Sequence, residues 1–386
     1  MALTTLYCDN AATTFPKPRS VIDAVIDFMR NTGASPGRSA HHLALEAGRA
    51  IFTVREKLAV LFNAPDPSRI IFTSNATEAL NIGILGLLSS GDRVAVTGME
   101  HNSVMRPLGF LVRERGVHVS IIPCDKNGSL DVDEFERTIK TGVKLAVVNH
   151  GSNVCGAIAP LPLLGAITHA HGTTFMVDAA QTAGSVPIDV KLMNIDMLAF
   201  SGHKGLYGPA GTGGLYIRNG LNVMPLKYGG TGSDSISDKQ PDFCPDKYES
   251  GTLNGPGIAG LGAGIDFISQ KGLEAVRRHG AELTGYFLDK LRNMDGLAVI
   301  GSCGPKNMLP TISITLKNVD QGIIARRLND EFGICIRMGL HCAPNAHRTL
   351  GTFPQGTIRF SFGIFNTLED LDIIINALKT LLSKSQ

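Results

Sequence analysis

The chain has 386 residues, of which 43% are hydrophobic and 18% are charged, enough apolar side chains for a substantial core. Its net charge of +2 is too small to indicate nucleic acid or an acidic membrane surface as a partner. No apolar stretch approaches the roughly 20 residues that span a bilayer, and the opening MALTTLYCDNAATTF lacks the regions of a signal peptide. We therefore expect a cytoplasmic protein that binds neither nucleic acid nor membranes.

Short apolar runs alternate with amphipathic stretches through the first two-thirds of the chain. The runs predict seven strands at Ile70–Thr73, Arg93–Thr97, Val117–Ile122, Leu145–Val148, Thr174–Val177, Met197–Phe200 and Gly214–Ile217. The stretches between them predict helices such as Glu78–Leu88 and Val132–Thr141. This alternation is typical of an α/β fold with a mostly parallel sheet that is covered on both faces.

The pattern changes from about Gly257, where long helical stretches begin. They are interrupted by PTISITL and GTIRFSF, whose alternation predicts strands of a smaller α+β domain. The segment GIAGLGAG follows no strand, so it predicts close helix packing rather than a dinucleotide site. The polar stretch GGTGSDSISDKQPDFCPDKYESGT predicts a loop. We expect an N-terminal segment, 1–18, that packs with the small domain, a large domain, 19–256, and a small domain, 257–386.

Seven cysteines are scattered along the chain, and no two of them form a C-x-x-C pair. They are Cys8, Cys124, Cys155, Cys244, Cys303, Cys335 and Cys342. An odd number without ligand spacing indicates neither a disulfide framework nor a metal site. Most of them are expected to be small buried hydrophobic side chains.

Unusual polar segments follow five of the predicted strands: SNATEALN, MEHNSV, NHGSNVCG, DAAQT and SGHK. Because ligands gather beyond the carboxyl ends of strands in an open α/β sheet, these segments predict one site. A helix capped or opened by Thr77 favours a phosphate, and Asp178 could hold a protonated ring nitrogen. His101 could stack or move protons, and Lys204 could form a Schiff base. Together these groups describe a site for pyridoxal 5′-phosphate.

The motifs also carry a family resemblance. LYCDNAATTFPKP, NATEALN, EHNSV, SNVCG, VDAAQTAG, SGHKGLYGPAGTGGLYI, ESGT and RMGLHCA occur in the order found in the cysteine desulfurase and selenocysteine lyase family. That family belongs to the class V aminotransferase group of fold-type I pyridoxal-phosphate enzymes. The chain resembles its group II members, which have a compact cysteine loop. The resemblance implies a large cofactor-binding domain with a seven-stranded sheet, a smaller α+β domain, and a homodimer.

The resemblance also implies roles for individual residues. Lys204 would bind the cofactor covalently, Asp178 would pair with its pyridine nitrogen, and His101 would stack on its ring. The other implied cofactor ligands are Ala76, Thr77, Asn153, Gln181, Ser201, His203 and, from a neighbouring subunit, Thr252. Cys342 would carry sulfur as a persulfide. The implied catalytic residues are Lys204, Cys342 and His101. The implied substrate-binding residues are Arg359, for the carboxylate, together with Asn10 and His41.

The reaction implied by this resemblance converts L-cysteine to L-alanine and passes the sulfur to an acceptor protein or thiol. Two alternatives stay open, namely a selenocysteine lyase and a class V aminotransferase or lyase without sulfur transfer. The chain departs from group II members at Leu340, where those enzymes usually have a histidine before the His-Cys pair. The sequence leaves open whether the sulfur serves iron–sulfur assembly, thiolation or selenium delivery.

Overall fold

The computed structural model describes residues 5–36, 40–233, 236–317 and 319–383. Thirteen strands lie within these ranges: β1 Leu6–Tyr7, β2 Ile70–Thr73, β3 Arg93–Thr97, β4 His118–Ile122, β5 Leu145–Asn149, β6 Thr174–Asp178, β7 Met197–Ser201, β8 Gly213–Ile217, β9 Leu297–Ile300, β10 Thr311–Leu316, β11 Ile334–Cys335, β12 Arg337–Gly339 and β13 Thr357–Ser361. The α-helices in the same ranges are α1 Arg19–Asp27, α2 His42–Phe62, α3 Ala76–Leu87, α4 Asn102–Arg115, α5 Val132–Ile139, α6 Leu161–Ala170, α7 Gly255–Lys271, α8 Leu273–Arg292, α9 Gln321–Phe332, α10 Pro344–Thr349 and α11 Leu368–Ser383.

The larger sheet has seven strands in the order β2-β8-β7-β6-β5-β3-β4. Strand β8 runs antiparallel to both of its neighbours, β2 and β7, and the other neighbouring pairs in this sheet are parallel. The predicted mostly parallel seven-stranded sheet is therefore confirmed, and every predicted strand lies within one residue of its observed bounds at each end. The sheet places the carboxyl ends of β3, β5, β6 and β7 side by side.

Both faces of this sheet are covered by helices, which explains its continuous apolar strands. Ala146 and Val148 of β5 pack in the core that also contains side chains of α2, α5, α6 and α7. Leu145 and Val147 of the same strand pack in the opposite core, with α3 and α4. Successive side chains of a strand point to opposite faces, so one apolar run supplies both cores.

The start of α3 differs from the prediction. Asn75 is the residue that caps the helix, because its Oδ1 accepts the backbone N–H of Glu78 at 3.1 Å. Thr77, which was predicted to cap or open the helix, is its second residue, so that prediction is wrong. Asparagine and threonine both serve as caps, so residue type alone did not distinguish them.

A four-stranded antiparallel sheet, in the order β12-β13-β10-β9, forms the smaller domain. Its apolar face packs against α8, α9 and α11. The strands predicted from PTISITL and GTIRFSF are β10 and β13, and both are confirmed. The polar stretch between β8 and α7 contains no helix or strand in its described part. None of the helices in the described ranges combines the length and the hydropathy needed to cross a membrane.

The core side chains bear on the predicted domain bounds. Ile258, Leu261 and Ile265 of α7 belong to the core of the large sheet. We therefore propose that the large domain continues through α7, so that the boundary moves from 256 to about Gly272. Strand β1 pairs with β11, and Cys8 is buried in the small-domain core. These contacts support the predicted packing of segment 1–18 with the small domain, although residues 1–4 lie outside the described ranges.

Candidate active site

The carboxyl ends of the parallel strands surround a cavity of about 270 Å³. Nine of the ten residues predicted to bind a cofactor line it: Ala76, Thr77, His101, Asn153, Asp178, Gln181, Ser201, His203 and Lys204. They come from the start of α3, the start of α4, the segment that follows β5, and the last residues of β6 and β7 with the segments after them. The sheet thus brings together side chains that are up to 128 positions apart in the sequence, from Ala76 to Lys204.

One end of the cavity is formed by the first turn of α3. The backbone N–H of Ala76 donates to Ser201 Oγ at 3.1 Å, and the hydroxyls of Thr77 and Ser103 are 2.7 Å apart. Backbone N–H groups at a helix start carry partial positive charge and bind anions well. These hydroxyls and the helix start together can hold a phosphate group.

A carboxylate and an amine face this cavity from adjacent strands. Asp178, the last residue of β6, is buried, and its Oδ1 accepts the N–H of Ala180 at 2.9 Å. Burial raises the pKa of Asp178, while the Ala180 hydrogen bond and the charge of Lys204 act in the opposite direction. Burial lowers the pKa of Lys204 to about 8, which Asp178 partly opposes. Lys204 is thus closer to a neutral, nucleophilic amine than an exposed lysine is.

His101 is held as a neutral imidazole at the start of α4. Its Nδ1 accepts the backbone N–H of Ser103 at 3.1 Å, which places the ring proton on Nε2. Burial lowers the pKa of His101 to about 4, and the charges of Lys204, Arg337 and Arg106 add to this effect. A neutral, oriented ring at the cavity wall can stack on a flat ligand.

Cys342 lies at an adjoining cavity of about 450 Å³, whose walls also include Thr77, His101 and Ser103. The thiol is exposed, and Arg337 Nη2 lies 3.5 Å from its Sγ. His341 and Cys342 both have positive φ angles, 48° and 58°. Such left-handed backbone costs about 1–2 kcal/mol at each non-glycine residue. The turn therefore presents the thiol towards the cavities at a cost in strain.

Hydrogen bonds from the large domain hold this turn. The side-chain Nδ2 of Asn153 donates to the backbone oxygen of His341 at 2.7 Å. The backbone N–H of Asn102 donates to the backbone oxygen of Cys342 at 2.8 Å. Both bonds use main-chain atoms of the turn, so they do not depend on the identity of the residue at position 342.

The three residues predicted to bind substrate are dispersed. Arg359 lies behind the cavity wall, where its Nη1 donates to the backbone oxygen of Asn153 at 2.9 Å. Asn10 donates instead to the backbone oxygen of Ser361 at 3.0 Å. His41 is exposed and caps α2, with its Nδ1 accepting the N–H of Ala44 at 3.3 Å. Neither Asn10 nor His41 lines the cavity that contains Lys204 and Asp178.

Thr252 also lies away from this cavity in its own chain. It lines a separate pocket of about 260 Å³ together with Arg55 and Glu249. The buried ion pair between these two side chains, 2.7 Å long, anchors the loop that carries Thr252. The structure thus separates Thr252 from the other nine predicted cofactor ligands.

Two residues near the cavity, the partly buried Arg337 and the buried Glu100, were missed from the sequence. Arg337, on β12, is the cation beside Cys342, and it lies in the quoted RMGLHCA motif. The other is Glu100, whose Oε1 accepts the Thr97 hydroxyl at 2.7 Å and the N–H of Asn149 at 2.9 Å. Burial raises the pKa of Glu100 to about 8. Its sequence signal was an acidic residue just after a strand, next to His101.

The cavity fits a flat, anionic, covalently held cofactor. The buried Oδ1 atoms of Asn149 and Asn153 have no hydrogen-bond partner among the described residues, as expected where a polar ligand completes the site. A phosphate end, a carboxylate for a ring nitrogen, and an amine of lowered pKa at Lys204 match the parts of pyridoxal 5′-phosphate. The described part of the chain contains no group of three or more histidine, cysteine, aspartate or glutamate side chains that could hold a metal ion.

Known proteins resemble the chain over nearly its whole length. Residues 6–374 match the family model of aminotransferase class V. A probable cysteine desulfurase of Methanothermobacter thermautotrophicus is 36% identical over 383 residues, which cover 97% of this chain and 94% of the relative. The cysteine desulfurase of Haloferax volcanii is 32% identical, with 97% of this chain and 88% of the relative covered.

Solved structures are similar as well. The apo structure of cysteine desulfurase from Thermococcus onnurineus NA1 superposes with a TM-score of 0.93 at 33% identity, covering 98% of this chain and 95% of that one. The cysteine desulfurase CsdA from Escherichia coli, in an S-sulfonic acid form, superposes with a TM-score of 0.88 at 30% identity. This superposition covers 98% of this chain and 94% of the Escherichia coli chain.

Proposed function

The chain belongs to the class V aminotransferase family and, within it, to the cysteine desulfurases, and we propose that Lys204, Asp178 and Cys342 carry its reaction. The reaction takes L-cysteine to L-alanine and leaves the sulfur on Cys342 as a persulfide. One observation carries the residue assignment: the Lys204–Asp178 cavity and the exposed Cys342 thiol share the wall formed by Thr77, His101 and Ser103. An amine for the cofactor and a thiol for the sulfur therefore lie on the two sides of one wall.

The cofactor in this proposal is pyridoxal 5′-phosphate. Lys204 binds it covalently, Asp178 pairs with its ring nitrogen and His101 stacks on its ring. Of the other residues that line the cavity, Ala76, Thr77, Ser201 and His203 would hold the phosphate, and Asn153 and Gln181 would lie beside the ring. When bound, this cofactor acts as an electron sink for the carbanion that forms when Cα of the substrate loses a proton.

Lys204 moves the proton at Cα in this proposal. The substrate's amino group first takes the place of Nζ on the cofactor, and the pKa of about 8 then leaves an appreciable neutral fraction of the freed amine near neutral pH, so Nζ can accept a proton and return it. The adjacent Asp178 carboxylate stabilises positive charge on the same side of the cavity. His101, neutral because its pKa is about 4, adds no cationic charge there.

Cys342 takes the sulfur. Its thiolate attacks the substrate's sulfur, an S–S bond forms, and the C–S bond breaks. The electron pair of the C–S bond remains with the carbon, which takes up a proton on the way to alanine. The exposure of Cys342 and the nearby Arg337 guanidinium support this assignment, because a thiolate must reach the substrate and is stabilised by a cation. An acceptor protein or thiol then removes the sulfur.

Assembly and location are part of the same proposal. We infer a homodimer in which Thr252 completes the phosphate site of the neighbouring subunit, supported by the fact that Thr252 lines a different pocket from the cavity of its own chain. Large apolar side chains are exposed on α1 and on the helical turn after it, among them Ile22, Ile26 and Met29, and a second copy could cover them. The enzyme works in the cytoplasm without a nucleic acid or membrane partner.

Release of sulfide from L-cysteine tests this function. The purified protein, supplied with pyridoxal 5′-phosphate and a thiol reductant, should release sulfide from L-cysteine. Lys204→Ala should release none, because the amine that holds the cofactor is gone. Lys191→Ala, which removes an exposed lysine, is the matched control and should keep full activity. A Lys204→Ala protein as active as the wild type would refute the assignment.

A further inference from the structure

Arg359 is held from two sides by groups from distant parts of the chain. Its side chain is 1% exposed in the middle of β13. Nη2 donates to Asp9 Oδ1 at 2.5 Å, and Nη1 donates to the backbone oxygen of Asn153 at 2.9 Å. A guanidinium has five N–H donors, so these contacts occupy two and fix its plane. Nε has no hydrogen-bond partner in the described part of the chain.

The backbone around Asp9 is anchored without help from the Asp9 carboxylate. Tyr7 lies opposite Cys335 in the β1–β11 pair, and Asp9 itself forms a parallel bridge with Ser361. The Tyr7 hydroxyl donates to the backbone oxygen of Asp9 at 3.1 Å. The carboxylate can therefore be changed while these main-chain contacts keep the segment in place.

Asp9 is an anion in a cationic neighbourhood. Burial lowers the pKa of Arg359, Asp9 acts in the opposite direction, and Arg337 adds to the lowering. Arg359 and Arg337 in turn both contribute to the lowered pKa of Lys204. Asp9 thus offsets the positive charge of Arg359. Without the Asp9 carboxylate, the buried guanidinium would lie near Arg337 and Lys204 and keep the backbone oxygen of Asn153 as its partner.

We infer that Asp9 is a positioning residue that holds the Arg359 guanidinium in the orientation that receives the carboxylate of an amino-acid substrate. The inference rests on the proposed function and on the role that the family resemblance implies for Arg359, namely to bind the carboxylate of cysteine. A guanidinium already fixed by Asp9 and Asn153 loses less conformational freedom when the substrate binds.

The test compares Asp9→Ala, Asp9→Asn and the control Asp23→Ala, all loaded with pyridoxal 5′-phosphate. Asparagine keeps an Oδ1 acceptor but removes the charge, whereas Asp23 forms an exposed ion pair with Arg19. The measurements are KM and kcat for L-cysteine and the inhibition constant of L-alanine, which has the same carboxylate and no sulfur. Thermal unfolding is followed for each variant, and Asp9→Ser replaces Asp9→Ala if the latter does not fold.

Asp9→Ala should raise both KM and the alanine inhibition constant about tenfold or more, the effect of losing a hydrogen bond to a charged group. Its kcat should stay within about threefold of the wild-type value, because Asp9 does not touch the reacting atoms. Asp9→Asn should recover most of the loss in KM, and Asp23→Ala should leave every constant unchanged.

Three results would overturn the inference. An unchanged KM in Asp9→Ala would show that Arg359 needs no orientation by Asp9. A lower KM would show that Asp9 competes with the substrate for Arg359. A loss of kcat and of cofactor absorbance in proportion to the loss of thermal stability would assign Asp9 to stability alone. A wild-type enzyme that releases no sulfide contradicts the proposed function instead, and alanine binding by calorimetry then tests Asp9 independently.

Discussion

Replacing Cys342 by serine separates the proposed sulfur transfer from cofactor chemistry. The structure indicates a small effect on stability, because the side chain is exposed and, within the described ranges, its one polar contact is the 3.5 Å approach of Arg337. Serine adopts a positive φ no more easily than cysteine does, and the bonds from Asn153 and Asn102 use main-chain atoms. We therefore expect the free energy of unfolding to change by about 0.5 kcal/mol or less.

The effect on activity should be much larger. Without a thiol at position 342, nothing in the turn attacks the substrate's sulfur, so we expect sulfide release to fall at least about a hundredfold. That fall corresponds to about 2.7 kcal/mol of transition-state stabilisation. The assay measures sulfide from L-cysteine with a reductant present, after absorbance has shown that Cys342→Ser holds as much cofactor as the wild type.

Cys335→Ser is the matched control, because Cys335 is a partly buried thiol whose Sγ lies 3.9 Å from Asn329 Oδ1. It should keep wild-type activity. Mass spectrometry after one equivalent of L-cysteine, without reductant, should find one added sulfur atom on the Cys342 peptide in both the wild type and this control. Full sulfide release by Cys342→Ser, or the added sulfur on another cysteine, would refute the reasoning.

Four further predictions concern the cofactor, the substrate, the assembly and acid stability. Reduction with borohydride should fix a pyridoxyl group on Lys204, and reduced Lys204→Ala protein that still carries one would disprove the assignment. Arg359→Ala should raise the KM for cysteine about tenfold or more with the cofactor band intact; an unchanged KM would make Arg359 structural. Light scattering of the cofactor-loaded protein should give the mass of a dimer, in which we expect Thr252 of each chain to complete the site of the other. A mass of 41.0 kDa, that of one chain, would argue against the dimer. Burial lowers the pKa of His150 from 6.5 to about 3. Between these two pH values, the unfolded chain binds a proton at His150 that the folded chain does not bind. The free energy of unfolding should therefore fall from pH 6.5 to pH 3, less steeply in His150→Gln, and equal slopes in urea titrations would contradict this.

Residues at the ends of parallel strands were the most predictable part of the site. Asp178 and Lys204 each follow an apolar run, and a parallel sheet brings the ends of such runs to one edge whatever the conformation of the connecting loops. The partner of Arg359 could not be predicted in this way. Asp9 and Arg359 are 350 positions apart, and only the packing of the N-terminal segment on the small domain brings them together.

The domain boundary shows a different limit of sequence reasoning. The glycines of GIAGLGAG indicated close helix packing, and the structure confirms it: a Cβ on Gly264 would lie 2.2 Å from the backbone oxygen of Leu206. The pattern did not reveal which domain the helix approaches, because an apolar, glycine-rich face fits either core. Likewise, Thr252 has a residue type suited to phosphate, but the role that we propose for it would require a second copy of the chain.

Simultaneous measurement of sulfide and alanine during turnover of L-cysteine tests the central claim most directly. If Lys204 and Cys342 act on one substrate molecule, each cysteine consumed yields one alanine and, with reductant present, one sulfide. The wild-type enzyme should therefore release the two products in equal amounts at every time point. Amino-group transfer from cysteine without matching sulfide would indicate an aminotransferase, and would contradict the account.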